Sequence, residues 1–200
     1  MPFSTLRTRG RARRLSTSLA VAVLPLLLGI PLMYWQAATL LESRAAKSAA
    51  DSRKQLDAML DDASRAAGVV LPLAGQPCED VAQKLRSQVA VSPFSRSVNL
   101  VADGLIYCTS LMGAYEQNED TASYVNGQLR LMAGNLVTPD RAVLVYRQAA
   151  GNHGVLIGID GQHLINLLRI NGQDVSLQIA VGQSWLSADG HVNNAPADGK

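Results

Sequence analysis

Seventeen consecutive apolar residues, Leu19 to Trp35, follow a stretch with five arginines and no acid. Nothing else limits the fold as strongly. With Leu15-Ser16-Thr17-Ser18 the run reaches 21 residues. As an α-helix rising roughly 1.5 Å per residue it spans about 31 Å, close to the hydrocarbon core of a bilayer. Pro25, Gly29 and Pro31 lie inside it; membrane helices tolerate such residues, and a kink is expected. Tyr34 and Trp35 fall at the far interface, where amphipathic rings sit. Arg7, Arg9, Arg11, Arg13 and Arg14 hold the N-terminus in the cytoplasm by the positive-inside rule. The competing reading is a cleaved signal peptide. The run is longer than a usual h-region and no small-x-small site follows directly, which favours an uncleaved anchor. The expected division is a cytoplasmic basic segment at 1–14, a transmembrane helix at 15–36, an exported domain at 37–192 and a linker-like tail at 193–200.

The charge balance agrees with this topology. The N-terminal arginines account for five of 18 basic residues and sit apart from all 16 acidic ones. The remainder is mildly acidic, which argues against nucleic-acid binding. Aromatics are 4% of the chain, so the core is expected to be aliphatic.

After the membrane run, residues 37–67 read as one long helix. Leu41, Ala45, Ala49, Ser52, Leu56, Leu60, Ala63 and Ala67 recur every three or four residues. This narrow stripe packs either on the domain's own sheet or on its copy in a homodimer. Lys47–Asp51, Arg53–Asp57 and Asp61–Arg65 have ion-pair spacing, and Gly68 is a candidate end. A second helix is expected from Pro77 to before Pro93, with Glu79 and Asp80 in its first turn and Val81, Leu85 and Val89 buried. The segments 97–101 and 105–109 flank Asp103-Gly104, a strong hairpin signal. In a regular hairpin Cys108 shares a face with Ile106 and Ser110, opposite Leu105, Tyr107 and Leu111. Residues 114–128 read as loop. Further strands are expected at 142–147, 155–160, 175–181 and 184–187, with a helix at 162–168. The fold class is α/β (α+β): a transmembrane helix, a long juxtamembrane helix, then an antiparallel sheet of about five strands with short helices.

Cys78 and Cys108 are the only cysteines, and both follow the anchor. In an oxidising compartment they are a natural disulfide pair. Closing the loop of about thirty residues between them stabilises a fold by about 3.5 kcal/mol in the chain-entropy estimate. A thiol oxidoreductase normally needs Cys-x-x-Cys, and His153, His163 and His191 lack metal-site spacing. A static bridge and a redox-responsive one both stay open at this point.

The order of features narrows the choice. Basic N-terminus, single span, long helix, Leu71-Pro72-Leu73, Cys78, the 97–101 strand and then Tyr107-Cys108-Thr109-Ser110-Leu111-Met112-Gly113 together resemble the exported CSS-motif domain of bacterial cyclic-di-GMP phosphodiesterases. The usual Cys-Ser-Ser appears here as Cys108-Thr109-Ser110, a mild change because Thr keeps the hydroxyl. The resemblance implies a PAS-like or Cache-like sensor fold in the bacterial inner membrane, facing the periplasm. It implies that periplasmic thiol-oxidising machinery acts on Cys78 and Cys108. It also implies that the disulfide form restrains a cytoplasmic EAL phosphodiesterase domain and the reduced form permits hydrolysis.

No Glu-x-Leu metal motif follows a second span in these 200 residues, and two-metal phosphodiester hydrolysis needs converging carboxylates. No catalytic residue, metal or cofactor is therefore expected here. The favoured reading is a membrane-anchored periplasmic redox-sensing region. The rivals are a Cache-like small-molecule-binding module using Arg130, Arg141, Tyr115 or Tyr146, and a non-catalytic remnant of a truncated gene.

Overall fold

The computed structural model describes residues 6–173 and 176–194, with the backbone alone for 6–22 and 26. The five N-terminal arginine side chains, the first residue of the expected 175–181 strand and the end of the 193–200 tail lie outside what is described. The chain divides into two units, 1–46 and 47–200. One helix, α1 (Leu6–Val70), contributes to both.

In the first unit α1 is long and apolar enough to cross a membrane. Pro25 and Pro31 lie inside it. Leu24, Leu27, Leu28, Ile30, Leu32 and Met33 are all exposed. A contiguous apolar surface of that kind is unfavourable in water and suited to lipid.

In the second unit, burial on α1 begins near Ser52 and deepens toward its end. Leu56, Leu60, Ala63 and Ala67 face the core as their spacing predicts. Met59, Ala66 and Val70 join them and widen the stripe, whereas Leu41 and Ala49 are exposed. Arg53 pairs with Asp57 at 3.9 Å. Arg65 pairs with Asp62 at 3.2 Å, one residue away from the expected Asp61. Gly68 does not end the helix. α1 runs on to Val70 and a 3₁₀ turn, Leu71–Leu73. The stop comes from Pro72, which has no N–H to offer the Gly68 carbonyl one turn back.

α2 (Cys78–Val91) starts after Pro77, carries Glu79 and Asp80 in its first turn and buries Val81, Ala82 and Leu85. The strands then form one antiparallel sheet of six: β1 (Ser95–Ala102), β2 (Leu105–Thr109), β3 (Gly113–Asn118), β4 (Leu129–Met132), β5 (Val143–Ala150) and β6 (His153–Asp160), in the order β3-β2-β1-β6-β5-β4. Asp103 and Gly104 both take positive φ in the two-residue β1–β2 turn, as the Asp-Gly signal requires. α3 (Gly161–Asn171) follows, with Asp160 as its N-cap accepting from the Gln162 N–H. A separate three-stranded sheet of β7 (Gln178–Val181), β8 (Ser184–Ser187) and β9 (Val192–Asn194) completes the unit.

Three strands exceed the sequence expectation. β3 lies where loop was expected, because Ala114–Asn118 is an edge strand with most of its residues exposed and no apolar alternation to betray it. β4 and β9 have four and three residues, too short for any periodicity. α2 packs over the β1–β3 half of the sheet. The last turns of α1 reach β5, where the Tyr146 hydroxyl donates to Ser64 Oγ at 3.3 Å. One aliphatic core joins the three helices, this face of the six-stranded sheet and the smaller sheet.

Candidate functional site

Cys78 and Cys108 are joined in a disulfide, with Cα atoms 5.3 Å apart. Cys78 is the first residue of α2 and is half-buried. Cys108 lies on β2 and is 0% exposed. The bond therefore ties the start of a helix to β2, the strand next to the β3 edge of the sheet.

The register of β2 decides which side chains join this site. Leu100 pairs with Cys108 and Val101 with Ile106, so Tyr107 is the extra residue of a β-bulge. Regular alternation would put Cys108 with Ile106 and opposite Tyr107. The bulge reverses this. Ile106 packs on the smaller cluster of Val101, Val143, Val145 and Leu156. Tyr107 and Cys108 both face the helix side.

Two consecutive residues thus hold the α1–α2 connection. The Tyr107 hydroxyl accepts from the Gly75 N–H at 2.9 Å, and Cys108 holds Cys78 three residues on. Burial pushes the Tyr107 phenol above its ordinary value, and the Gly75 hydrogen bond only partly opposes this. Gly75 has φ +92°, and a Cβ there would come within 2.8 Å of His153 Nε2. Only glycine gives the connection that turn and that close approach.

The two residues after Cys108 close the next hairpin. Thr109 pairs with Gly113 across the three residues 110–112, and Gly113 supplies the positive φ that such a loop needs. Thr109 Oγ1 accepts from the Met112 N–H at 2.9 Å. Ser110 Oγ accepts from the Val98 N–H at 3.0 Å, and the Ser110 N–H donates to the Val98 carbonyl at 2.8 Å. The motif residues therefore divide the work. Cys108 bonds to the helix, Thr109 caps the turn, and Ser110 extends β1's hydrogen bonding where β2 has ended. Thr in place of Ser at 109 leaves that function intact, because only the hydroxyl is used.

The residues considered for a small-molecule module do not converge. Arg141 faces Asp160 at 3.9 Å, and Tyr146 serves the α1 contact. Tyr115 donates to Gln117 Oε1 at 2.9 Å, and of the four it alone lines the cavity beside Thr109. Arg130 stands 6.0 Å from the Tyr124 ring centroid. Tyr107 and Gly75 are the residues that sequence reasoning missed, since a bulge leaves no mark in this stretch.

A family model described as a CSS motif domain associated with EAL matches residues 41–200. The chain is 25% identical over 136 residues to the probable cyclic di-GMP phosphodiesterase PdeG of Escherichia coli K12, covering 67% of this chain and 27% of that protein. It is 36% identical over 72 residues to the probable cyclic di-GMP phosphodiesterase PdeD of the same organism, covering 36% of this chain and 14% of that protein. The matched part thus spans about a quarter or less of the length of these curated relatives.

Proposed function

The chain belongs to the family of CSS motif domains associated with EAL, and from that premise we propose that it is the periplasmic redox-sensing region of an inner-membrane cyclic-di-GMP phosphodiesterase. The observation that carries the reading is the pairing of adjacent tethers, Tyr107 to Gly75 and Cys108 to Cys78. Together they fix the seven residues between α1 and α2 to β2. Oxidised, the connection is held covalently. Reduced, the start of α2 is released and only the Tyr107 hydrogen bond remains of the two. The packing of α1 then changes, alone or against a second copy in a homodimer. The apolar half of α1 carries that change to a cytoplasmic EAL domain, which the disulfide form restrains.

The exchange runs through the more accessible sulfur. A thiolate of a periplasmic dithiol protein attacks Sγ of Cys78. The disulfide breaks, Cys108 leaves as thiolate, and a mixed disulfide forms on Cys78. The second thiolate of the dithiol protein resolves it, becoming oxidised as Cys78 leaves reduced. Oxidation is the reverse.

Alkylation of Cys78 and Cys108 in intact cells, with and without the periplasmic oxidising machinery, tests the first step. The expected outcome is blocked thiols in the oxidising strain and labelled ones in its absence. A bridge equally formed in both would leave a static staple and sink the redox reading. Cyclic-di-GMP hydrolysis by the full-length protein in membranes, before and after reduction, tests the output, with a rise expected on reduction.

A further inference from the structure

The motif hairpin has a second face. Below the bulge Cys108 points toward the helices, while Thr109 and Ile106 line the opposite side of the sheet. There a cavity of about 330 Å³ opens. β1 and β2 contribute Asn99, Ile106 and Thr109 to its lining, and the segment after β4 supplies Leu136 and Val137. This volume falls within the ~300–1000 Å³ range of small-molecule sites.

Its chemistry is distinctive. Among the described residues, none of the side chains lining it is an acid or a base. Around it Leu111, Met112 and Val137 are 44%, 49% and 48% exposed, and Leu136 is 77% exposed. Four large apolar side chains left uncovered around one opening mark a binding surface rather than an ordinary loop. The lining amide of Asn99 and hydroxyl of Ser97 offer hydrogen bonds to a small polar group. Met112 and Met132 add adaptable walls. Arg130 lines a neighbouring cavity of about 230 Å³, where Glu119 and Asp120 also lie, so no one-signed field draws an ion in. A larger depression of about 620 Å³, between β4 and the smaller sheet, does not involve the motif.

We propose that the 330 Å³ cavity binds an uncharged, compact amphiphile: an apolar body carrying one or two hydroxyl, carbonyl or amide groups. A carboxylate or ammonium group is disfavoured, because even partial desolvation costs a charge that finds no opposite charge among the side chains lining this cavity. This site is independent of the redox proposal, since neither cysteine lines it.

Methionine methyl NMR on the full chain in nanodiscs tests it. Met112 and Met132 report the cavity, Met59 the opposite face of the sheet, and Met33 partition into the lipid. The neutral probes are benzyl alcohol, cyclohexanol and indole. The charged counterparts, matched in size to the first, are benzoate and benzylammonium. The expected result is a saturable shift of Met112 and Met132 with at least one neutral probe, with Met59 unmoved. The charged counterparts should bind at least about tenfold more weakly. Leu136→Glu, at an exposed rim position, should weaken the neutral probe and bring benzylammonium up relative to it. Three outcomes overturn the proposal: no saturable shift from any neutral probe, an equal response to the charged ones, or a shift of Met59 as large as that of Met112.

Discussion

The two faces of the six-stranded sheet are held by different means. The helix face is aliphatic and closed, with Leu85, Leu100, Ile157 and Leu164 fully buried, and it carries the disulfide. The loop face has a small cluster of four buried residues and a buried ion pair. Arg147 Nε lies 2.6 Å from Glu119 Oε1, and Arg147 Nη2 3.2 Å from Oε2, with the Glu119 side chain 2% exposed. Tyr124 lies against two arginines, 5.8 Å from Arg147 and 6.0 Å from Arg130. The covalent bond thus sits where noncovalent packing is already dense. Breaking it can release a helix start without emptying a core. The loop face has no such reserve, so the 119–128 connection between β3 and β4 depends on the Glu119–Arg147 charge pair.

The sharpest way to break this comparison is to remove the charge pair. Arg147→Ala leaves the Glu119 carboxylate buried and unpaired, at a cost of about 3–5 kcal/mol. Denaturant unfolding of the full chain in detergent measures it, and Glu119→Gln combined with Arg147→Met should recover much of the loss. A cost under about 1 kcal/mol would mean that the loop face does not depend on the pair. On the other face, reducing the disulfide or making Cys78→Ser is expected to cost about 3.5 kcal/mol. Most of the native contacts should survive. Hydrogen exchange should accelerate in the first turn of α2 and leave β5 and β6 protected. Exchange that rises uniformly across the sheet would show that the bridge holds up the core itself.

Ser110→Ala probes the seam between the faces. It leaves the buried Val98 N–H without its acceptor, a loss of about 2 kcal/mol. Thr109→Ser should cost less, about 1 kcal/mol by the same measurement, since the Met112 N–H keeps an oxygen to bond and only a buried methyl group is lost. Alkaline pH separates the faces differently. Burial first, and the nearby Glu119 charge second, push the Tyr124 phenol up to about 12. An unfolded tyrosine ionises near 10. Below 10 the phenol is protonated in both states and this contribution is constant. As pH rises from 10 to 12 the unfolded chain loses the proton first, so stability falls, by about 1–2 kcal/mol after allowing for partial exposure. Tyr124→Phe should flatten that part of the profile.

The sequence made some of this legible and hid the rest for physical reasons. The cysteine pair, the Asp103-Gly104 turn and the helix after Pro77 are strong local signals, and each is present, while the two helices expected at 15–36 and 37–67 are one continuous α1. The helix face announces itself because aliphatic spacing and burial coincide along Leu56, Leu60, Ala63 and Ala67. The loop face does not. β3 is polar and exposed, β4 is four residues long, and Glu119 and Arg147 find each other across 28 residues. The bulge at Tyr107 was hidden for another reason. It depends on how β2 meets β1 and β3 together, and no residue in Leu105–Thr109 specifies it alone.

That bulge offers the smallest and most discriminating test. Tyr107→Phe removes one hydrogen bond to an exposed backbone N–H, so in the oxidised protein it should cost about 0.5–1 kcal/mol. Cys78 is three residues from Gly75 and stays fixed by the disulfide, which keeps the connection in place. In the reduced protein the same hydrogen bond is the remaining tether of the two. Its removal should then cost more and speed exchange at Gly75 beyond the sum of the separate changes. The four combinations of oxidised or reduced with Tyr or Phe form a thermodynamic cycle, and neighbours sharing one restraint couple by about 0.5–3 kcal/mol. Measurable coupling means that Tyr107 and Cys108 act as one clamp on the α1–α2 connection. Strict additivity would make Tyr107 an ordinary packing residue and leave the disulfide to hold the connection alone.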